Sequence, residues 1–142
     1  TLTPEAASIL YAVDSFNESF EVKRHIAAGK VVLVNRYVTS IAMQEAARIE
    51  TKEDRVKFYR WLDMTEYGIF VIPKPDLNIL LHIPTDGDTA DNHVMHEISE
   101  LFPNTRMVEC AKNGLTLPEN QLHATVWELV RRIGLKGVEP KF

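Results

Sequence analysis

The chain begins with apolar and polar residues arranged at the period of an α-helix. Thr3, Pro4 and Glu5 form a typical helix start, because threonine caps, proline fits the first turn and an acid suits the positive end of the helix dipole. Apolar residues then recur every three or four positions on one face, namely Ile9, Val13, Phe16 and Phe20. The pattern predicts an amphipathic helix that ends at Gly29, which suits the left-handed C-cap position.

Short, continuous apolar runs further along the chain predict strands that are buried on both faces. These runs are residues 31–34, 77–83 and, more weakly, 106–110. Helical patterns lie around them, at residues 40–49, 51–62, 93–101 and 118–133. Breakers fall at Gly68 and residues 73–75, residues 85–92 are polar enough for a loop, and the tail 136–142 is expected to be loose. The alternation predicts an α/β fold with a three-layer arrangement, in which helices cover both faces of a parallel sheet.

Length and charge set the class of protein. The 142 residues suit a single domain, 1–142, and the formal charge of −4 argues against binding nucleic acid through bulk positive charge. No apolar run reaches the ~18 residues of a membrane span, and no signal peptide is visible. The lone cysteine, Cys110, excludes an internal disulfide and favours the cytoplasm. Because the chain begins at Thr1 without a methionine, we expect it to be a piece of a longer protein.

Candidate chemistry is expected beyond the carboxyl ends of the predicted strands, where open parallel sheets bind ligands. This rule selects residues 35–37, 84–88 and 111–114. Arg36 is the most suggestive, since a guanidinium can hold a phosphate or carboxylate through two parallel hydrogen bonds. The alternative is a surface arginine that pairs with an acid on a helix.

Several segments, in order, resemble the thymidylate kinases: ILYAVD at 9–14, GKVVLVNRYVTS at 29–40, FYRWL at 58–62, EYGIF at 66–70 and PKPDL at 73–77. The resemblance extends over residues 3–84 and, more weakly, 101–133. It implies a P-loop kinase-like fold, with a nucleoside monophosphate half at about 1–84 and a C-terminal strand and helix at 101–134. The implied reaction is phosphoryl transfer from ATP to dTMP, giving dTDP, with Mg²⁺.

The resemblance also implies roles for individual residues. Arg36 matches the arginine that holds the dTMP phosphate, and Tyr11 matches the helix aromatic that stacks on thymine, as the physics of a dianion and a flat base requires. Asn35 and Arg36 are the implied catalytic residues. The implied dTMP site consists of Tyr11, Asp14, Ser15, Arg36, Tyr37, Ser40 and Gln44.

The chain departs from the family pattern at the ATP side. Asn35 stands where many members have aspartate, and Ser15 where an arginine is usual. Residues 85–100, which stand where the family has its arginine-bearing lid, contain no Arg or Lys, and the sequence has no GxxxxGK[ST] loop. ATP and Mg²⁺ are therefore implied by the family but not supported by residues of this chain. The ATP-binding residues are unassigned, and no metal site is predicted.

Two main hypotheses follow. The first is a thymidylate kinase without its P-loop strand and lid, and the second is a non-catalytic relative that binds nucleotide or acts as a structural subunit. An unrelated α/β binding domain is a third. In the family the absent first strand lies in the middle of the sheet, and unpaired backbone groups there would be costly. The sheet could close up, another chain could donate a strand, or residues outside this sequence could supply it, and the last is favoured. As partners we expect dTMP and a second copy or a partner chain that completes the sheet, and neither nucleic acid nor membrane.

Weaker signals have mainly structural interpretations. His93 and His96 could bind a metal, but a solvated helix face is favoured. His82 is expected to be a hydrogen-bonded core histidine and Cys110 a small buried hydrophobe. The aromatic residues between 58 and 70 are expected in the core, or else on a dimer face.

Overall fold

Helices form unit 1 of the chain, residues Thr1–Lys74, and a mixture of strands and helices forms unit 2, residues Pro75–Phe142. A computed structural model describes residues 2–83, 90–112 and 114–135. Unit 1 contains α1 (Pro4–Ala27), α2 (Val38–Ala46), α3 (Lys52–Asp63) and a π-helical turn, Met64–Ile69. Unit 2 contains β1 (Asn78–His82), α4 (Ala90–Leu101), β2 (Thr105–Glu109), β3 (Ala111–Lys112), β4 (Leu115–Thr116), α5 (Glu119–Leu129) and a π-helical turn, Val130–Gly134.

Both ends of α1 form as the sequence predicts. The Thr3 hydroxyl accepts a hydrogen bond from the Ala6 amide at 3.2 Å, which satisfies one of the free donors of the first turn. Gly29 has φ +73°, and the Lys30 amide after it bonds back to the His25 carbonyl at 3.1 Å. This is a left-handed helix ending that glycine adopts without steric cost.

The buried face of α1 is not the face that periodicity selects. α1 packs against α2 and α3 through its small residues Ser8, Ala12 and Ser19. Small side chains let the helix axes approach closely, so this face is covered. The large apolar residues are left more than a third exposed, namely Ile9, Val13, Phe16 and Phe20.

The predicted strand at residues 31–34 is wrong. Among the described residues, 31–36 make no backbone hydrogen bond, and Leu33 is 96% exposed. A strand exists only where a neighbouring strand takes its amides and carbonyls, and the described part of the chain offers this apolar run no such neighbour. The predicted set of three parallel strands is thereby reduced to two.

α3 begins as predicted and ends differently. The Thr51 hydroxyl accepts from the Asp54 amide at 3.1 Å, and the helix buries Phe58, Tyr59 and Leu62. Gly68, predicted as a breaker, lies inside the π-helical turn Met64–Ile69 that continues α3. The wider turn carries Glu66, which is fully buried. Such turns are rare and occur often at functional sites.

Val71 follows this turn with φ +52°, a conformation that strains a β-branched residue. Its side chain is 59% exposed, so little packing is lost on replacement. We expect Val71→Asn to raise the free energy of unfolding by about 1 kcal/mol, because asparagine tolerates positive φ. Urea unfolding measures this. Val13→Asn, at a similarly exposed helical position, is the control and should give no gain; a Val71→Asn protein no more stable than wild type contradicts the prediction.

Unit 2 is built on two parallel strands. β1 pairs with β2 in register from Asn78 opposite Thr105 to His82 opposite Glu109, which confirms strands in two of the predicted runs. α4 packs against both strands, and the core contains Leu80, Val94, Ile98, Val108 and Cys110. The prediction of a buried Cys110 is confirmed.

Several boundaries in the rest of unit 2 differ from expectation. β3 and β4 form a short antiparallel pair that the sequence does not predict. Residues 90–92 of the predicted loop 85–92 lie in α4, whereas residues 84–89, which contain the rest of that loop, and the tail 136–142 lie outside the described residues. The molecule is thus mixed helix and sheet. Over the part of the chain that the structure describes, no helix combines the length and apolar character needed to cross a membrane.

Candidate functional site

Gln44 on α2 joins two of the predicted site residues in unit 1. Its side-chain amide donates to the Tyr11 hydroxyl on α1 at 3.0 Å, and its Oε1 accepts from Arg36 Nη2 at 3.4 Å. Tyr11 and Arg36 are far apart in sequence, and the packing of α1 against α2 is what brings them to one glutamine. All three side chains are exposed to solvent. They form a polar cluster that an outside molecule can reach.

Arg36 is held only weakly within this cluster. It lies in the left-handed region, φ +65°, at the turn that leads into α2. Its bond to Gln44 is long for a hydrogen bond, and no acidic side chain among the described residues pairs with it. Among residues 2–83, therefore, Arg36 does not pair with an acid on a helix, which is the alternative interpretation of this arginine. Its guanidinium has donors free for an anion.

Glu45 fixes the orientation of Gln44, and sequence reasoning missed it. Its carboxylate is almost fully buried, bonds with Arg48, and accepts from Gln44 Nε2 at 3.2 Å. Because that nitrogen already donates to both Tyr11 and Glu45, the amide oxygen is left to face Arg36. A Glu next to a Gln on a helix carries no sequence signal of burial.

Tyr37 ties the arginine turn to a distant loop. Its hydroxyl donates to the Pro73 carbonyl at 2.8 Å. Burial, and then the negative charge of Glu66, raise the pKa of Tyr37 to about 12. The phenol therefore stays protonated at neutral pH and acts as a hydrogen-bond donor rather than as a base.

Glu66 is the most unusual group of unit 1. It is fully buried, and neither carboxylate oxygen has a hydrogen-bond partner. Burial raises its pKa to about 7. Burial and the charges of Tyr37, Asp63 and Glu66 also raise the pKa of Tyr67, whose ring lies 4.8 Å from Lys74 Nζ. A buried, shifted acid with no partner often marks a functional site.

The remaining predicted site residues are not joined to this cluster. In the described residues, hydrogen bonds to Tyr11, Arg36 or Gln44 do not come from Asp14, Ser15, Asn35 or Ser40. Ser40 contributes only its backbone amide, which bonds to the Tyr37 carbonyl at 2.8 Å in the first turn of α2. The structure thus brings together a tyrosine, an arginine and a glutamine, but not the whole predicted set.

The residues present do not fit a site for ATP and Mg²⁺. The glycine-rich loop that would cradle the phosphates is missing from the whole sequence. No group of three or more His, Cys, Asp or Glu suited to a metal occurs in the part of the chain that the structure describes. His93 and His96 are both exposed on α4, as predicted for a solvated face.

Unit 2 has a separate polar cluster at the carboxyl ends of its parallel strands. His82 Nδ1 lies 2.9 Å from Glu109 Oε2, and Nε2 lies 3.1 Å from Asn92 Oδ1. This confirms the predicted hydrogen-bonded core histidine, which is 7% exposed. Burial lowers the pKa of His82, but hydrogen bonds to Asn92 and Glu109 and the charge of Glu109 outweigh it, so the pKa is raised. Two oxygen partners favour the imidazolium.

Replacing Glu109 with glutamine tests this cluster. A raised histidine pKa gives stability that is fully present below about pH 6.5 and lost as pH rises through the folded-state pKa. We expect Glu109→Gln to lower the pKa of His82. At pH 5.5 the substitution should lower the free energy of unfolding by about 1 kcal/mol, a small loss because solvent screens the half-exposed carboxylate. At pH 9 it should leave the free energy of unfolding unchanged. Urea unfolding at both pH values and the NMR titration of the His82 ring measure this. Glu100→Gln, on the exposed side of α4, is the control; an equal loss at both pH values refutes the assignment.

Comparison with known proteins gives no relative: no family model, no curated protein and no solved structure matches the chain.

Proposed function

We propose that unit 1 binds dTMP as the acceptor nucleotide of a thymidylate kinase-like protein. The observation that carries the proposal is the hydrogen-bonded series Tyr11–Gln44–Arg36, with distances of 3.0 Å and 3.4 Å. In it an aromatic face suited to a base and a guanidinium suited to a phosphate are linked by one amide. That is the pair of groups that a nucleoside monophosphate needs.

The electrostatics of Arg36 support an anionic ligand. The guanidinium is exposed and its one weak bond goes to a neutral amide, so a phosphate would replace a poor acceptor with a charged, bidentate one. Charge-assisted bonds of this kind are about twice as strong as neutral ones. Gln44, held by buried Glu45, would then keep Tyr11 at a fixed place beside the base.

The proposal extends to the sheet. A P-loop kinase-like, three-layer fold requires residues 31–34 to be a strand, and these residues are apolar, mostly β-branched and without backbone partners in the described structure. A second copy or a partner chain that supplied a neighbouring strand would satisfy them. The homodimer predicted from the sequence fits the same proposal.

The alternative function is that of a non-catalytic relative, which binds nucleotide as a subunit of an assembly. What favours it is the absence of a glycine-rich loop from the sequence and of lid cations from residues 85–100. Phosphoryl transfer depends on such cations around the transferred group. The reaction of ATP with dTMP to give dTDP therefore needs groups that this chain does not carry.

Calorimetric titration of the 142-residue chain with dTMP, thymidine and inorganic phosphate tests the proposed function. We expect binding of dTMP, and weaker binding of each half alone, because base and phosphate contact different members of the series. No heat with dTMP would overturn the proposal. A second assay follows dTDP formation from ATP: turnover by the purified chain excludes the non-catalytic alternative, and dTMP binding without turnover favours it.

A further inference from the structure

Glu66 and Tyr37 bond to two adjacent residues of the loop after the π-helical turn, Ile72 and Pro73 respectively. The Glu66 backbone carbonyl accepts from the Ile72 amide at 3.2 Å, and the Tyr37 hydroxyl donates to the next carbonyl, that of Pro73, at 2.8 Å. The turn that carries Arg36 is thus connected through Tyr37 to the segment that Glu66 fixes. A structural change at Glu66 can therefore reach the Arg36 turn through residues 72 and 73 and the Tyr37 side chain.

The Glu66 carboxyl group lies in this connection with unused hydrogen-bonding capacity. Both of its oxygens are buried and unpartnered, although a carboxylate can accept several bonds. Glu66 interacts electrostatically with Tyr37 and Tyr67, and Tyr67 interacts also with Asp63. Lys74 Nζ lies over the Tyr67 ring and 3.5 Å from Asp63. None of these is a cation bonded to Glu66, so its ionised form lacks compensation.

We propose that Glu66 is a positioning residue for the Arg36 turn, and that loss of its proton moves the Tyr37 hydroxyl from the Pro73 carbonyl to the Glu66 carboxylate. Glu66 gives its proton to solvent, and Tyr37 keeps its own proton and changes acceptor. A charged acceptor binds a hydroxyl more strongly than a neutral carbonyl does. The tie to residue 73 is then lost, and Arg36 loses its fixed place. This inference deepens the proposed function, on which its consequence for dTMP rests.

The Glu66 carboxyl group ionises near neutral pH. Burial raises the pKa of Glu66 to about 7, so both forms of the carboxyl group are present near neutrality. Tyr37 remains a phenol throughout, since its own pKa is about 12. Between pH 6 and pH 8, therefore, Glu66 is the member of this pair that titrates.

NMR titration of the ligand-free protein from pH 5.5 to 8.5 tests the positioning role directly. We expect the Glu66 side-chain carbon and the Arg36 and Tyr37 amides to shift with one common midpoint near pH 7. In Glu66→Gln the two amides should no longer follow it, and in Glu50→Gln, an exposed acid, they should. Amides that do not shift, or that shift alike in Glu66→Gln, overturn the proposal.

Two further measurements keep the test decisive. If Glu66→Gln fails to fold, Tyr37→Phe takes its place: the Glu66 carbon should still titrate while the Arg36 amide no longer does, and an unchanged Arg36 response refutes the hydroxyl exchange. With dTMP, the affinity of wild type relative to Glu66→Gln should fall about fivefold from pH 6 to pH 8, the scale of one hydrogen bond, and a constant ratio contradicts it. Failure of dTMP to bind either protein would count against the proposed function alone, because the ligand-free titration decides the role of Glu66.

Discussion

Glu66→Gln should make the protein more stable than wild type at pH 9 by about 3 kcal/mol, and should leave its stability nearly unchanged at pH 4. The folded state raises the pKa of Glu66 from its ordinary 4.5 to about 7, so the folded protein holds this proton more tightly than the unfolded chain. Stability is therefore lost as pH rises from about 4.5 through 7, and the loss is complete above pH 7. Glutamine has no proton to lose and avoids this cost.

Urea unfolding at half-unit steps from pH 4 to pH 9 measures the effect. Glu50→Gln removes an exposed acid from the same unit and should follow the wild-type curve. A difference between wild type and Glu66→Gln that stays constant over the whole range would show that the carboxyl group does not titrate as argued. His82 loses stabilisation in the same direction of pH, so Glu109→Gln is needed to separate the two contributions.

Arg36→Ala should weaken dTMP binding by about 1.5–3 kcal/mol, the range for hydrogen bonds to a charged group. The substitution removes the guanidinium from the series Tyr11–Gln44–Arg36 and leaves the other two side chains in place. Arginine and alanine bear a similar strain at φ +65°, so the turn itself should persist. Thymidine, which lacks the phosphate, should bind equally well to both proteins.

Calorimetry with dTMP and thymidine provides the measurement. Arg24→Ala is the matched control, because Arg24 is an exposed arginine that pairs with Glu21 on α1. It should bind dTMP as wild type does. Equal dTMP affinity for Arg36→Ala and wild type would exclude Arg36 as the phosphate ligand.

Local patterns predict the elements whose partners are close in sequence. The capping threonines Thr3 and Thr51 and the C-terminal Gly29 act within one turn, and the structure has all three as expected. Residues 31–34 fail for the opposite reason. Their β-branched composition predicts a strand, but a strand also needs a second strand, and composition cannot supply one.

The residues of the candidate site also fall into two groups, those that the sequence suggests and those that only the packing of distant elements determines. Arg36 follows from the rule that chemistry gathers beyond apolar runs, and Tyr11 and Gln44 come from the resemblance, because no local pattern links positions on two helices. Glu45 and Glu66 could not be found, since burial of a charged side chain depends on packing from other elements. Glu109, which is half-exposed, could not be found because its contact with His82 depends on the register of β1 and β2. These acids control the orientation or protonation of the residues that the sequence does suggest.

The unpaired run at residues 31–34 also exposes the protein to aggregation. Four apolar, mostly β-branched residues with open backbone groups can add to a copy of themselves, as segments of this kind do in fibrils. The cations Lys30 and Arg36 lie on either side of the run, and their like charges disfavour the in-register stacking of many copies that a fibril requires. Removal of Arg36 should therefore lower the protein concentration at which association begins, whatever its effect on dTMP.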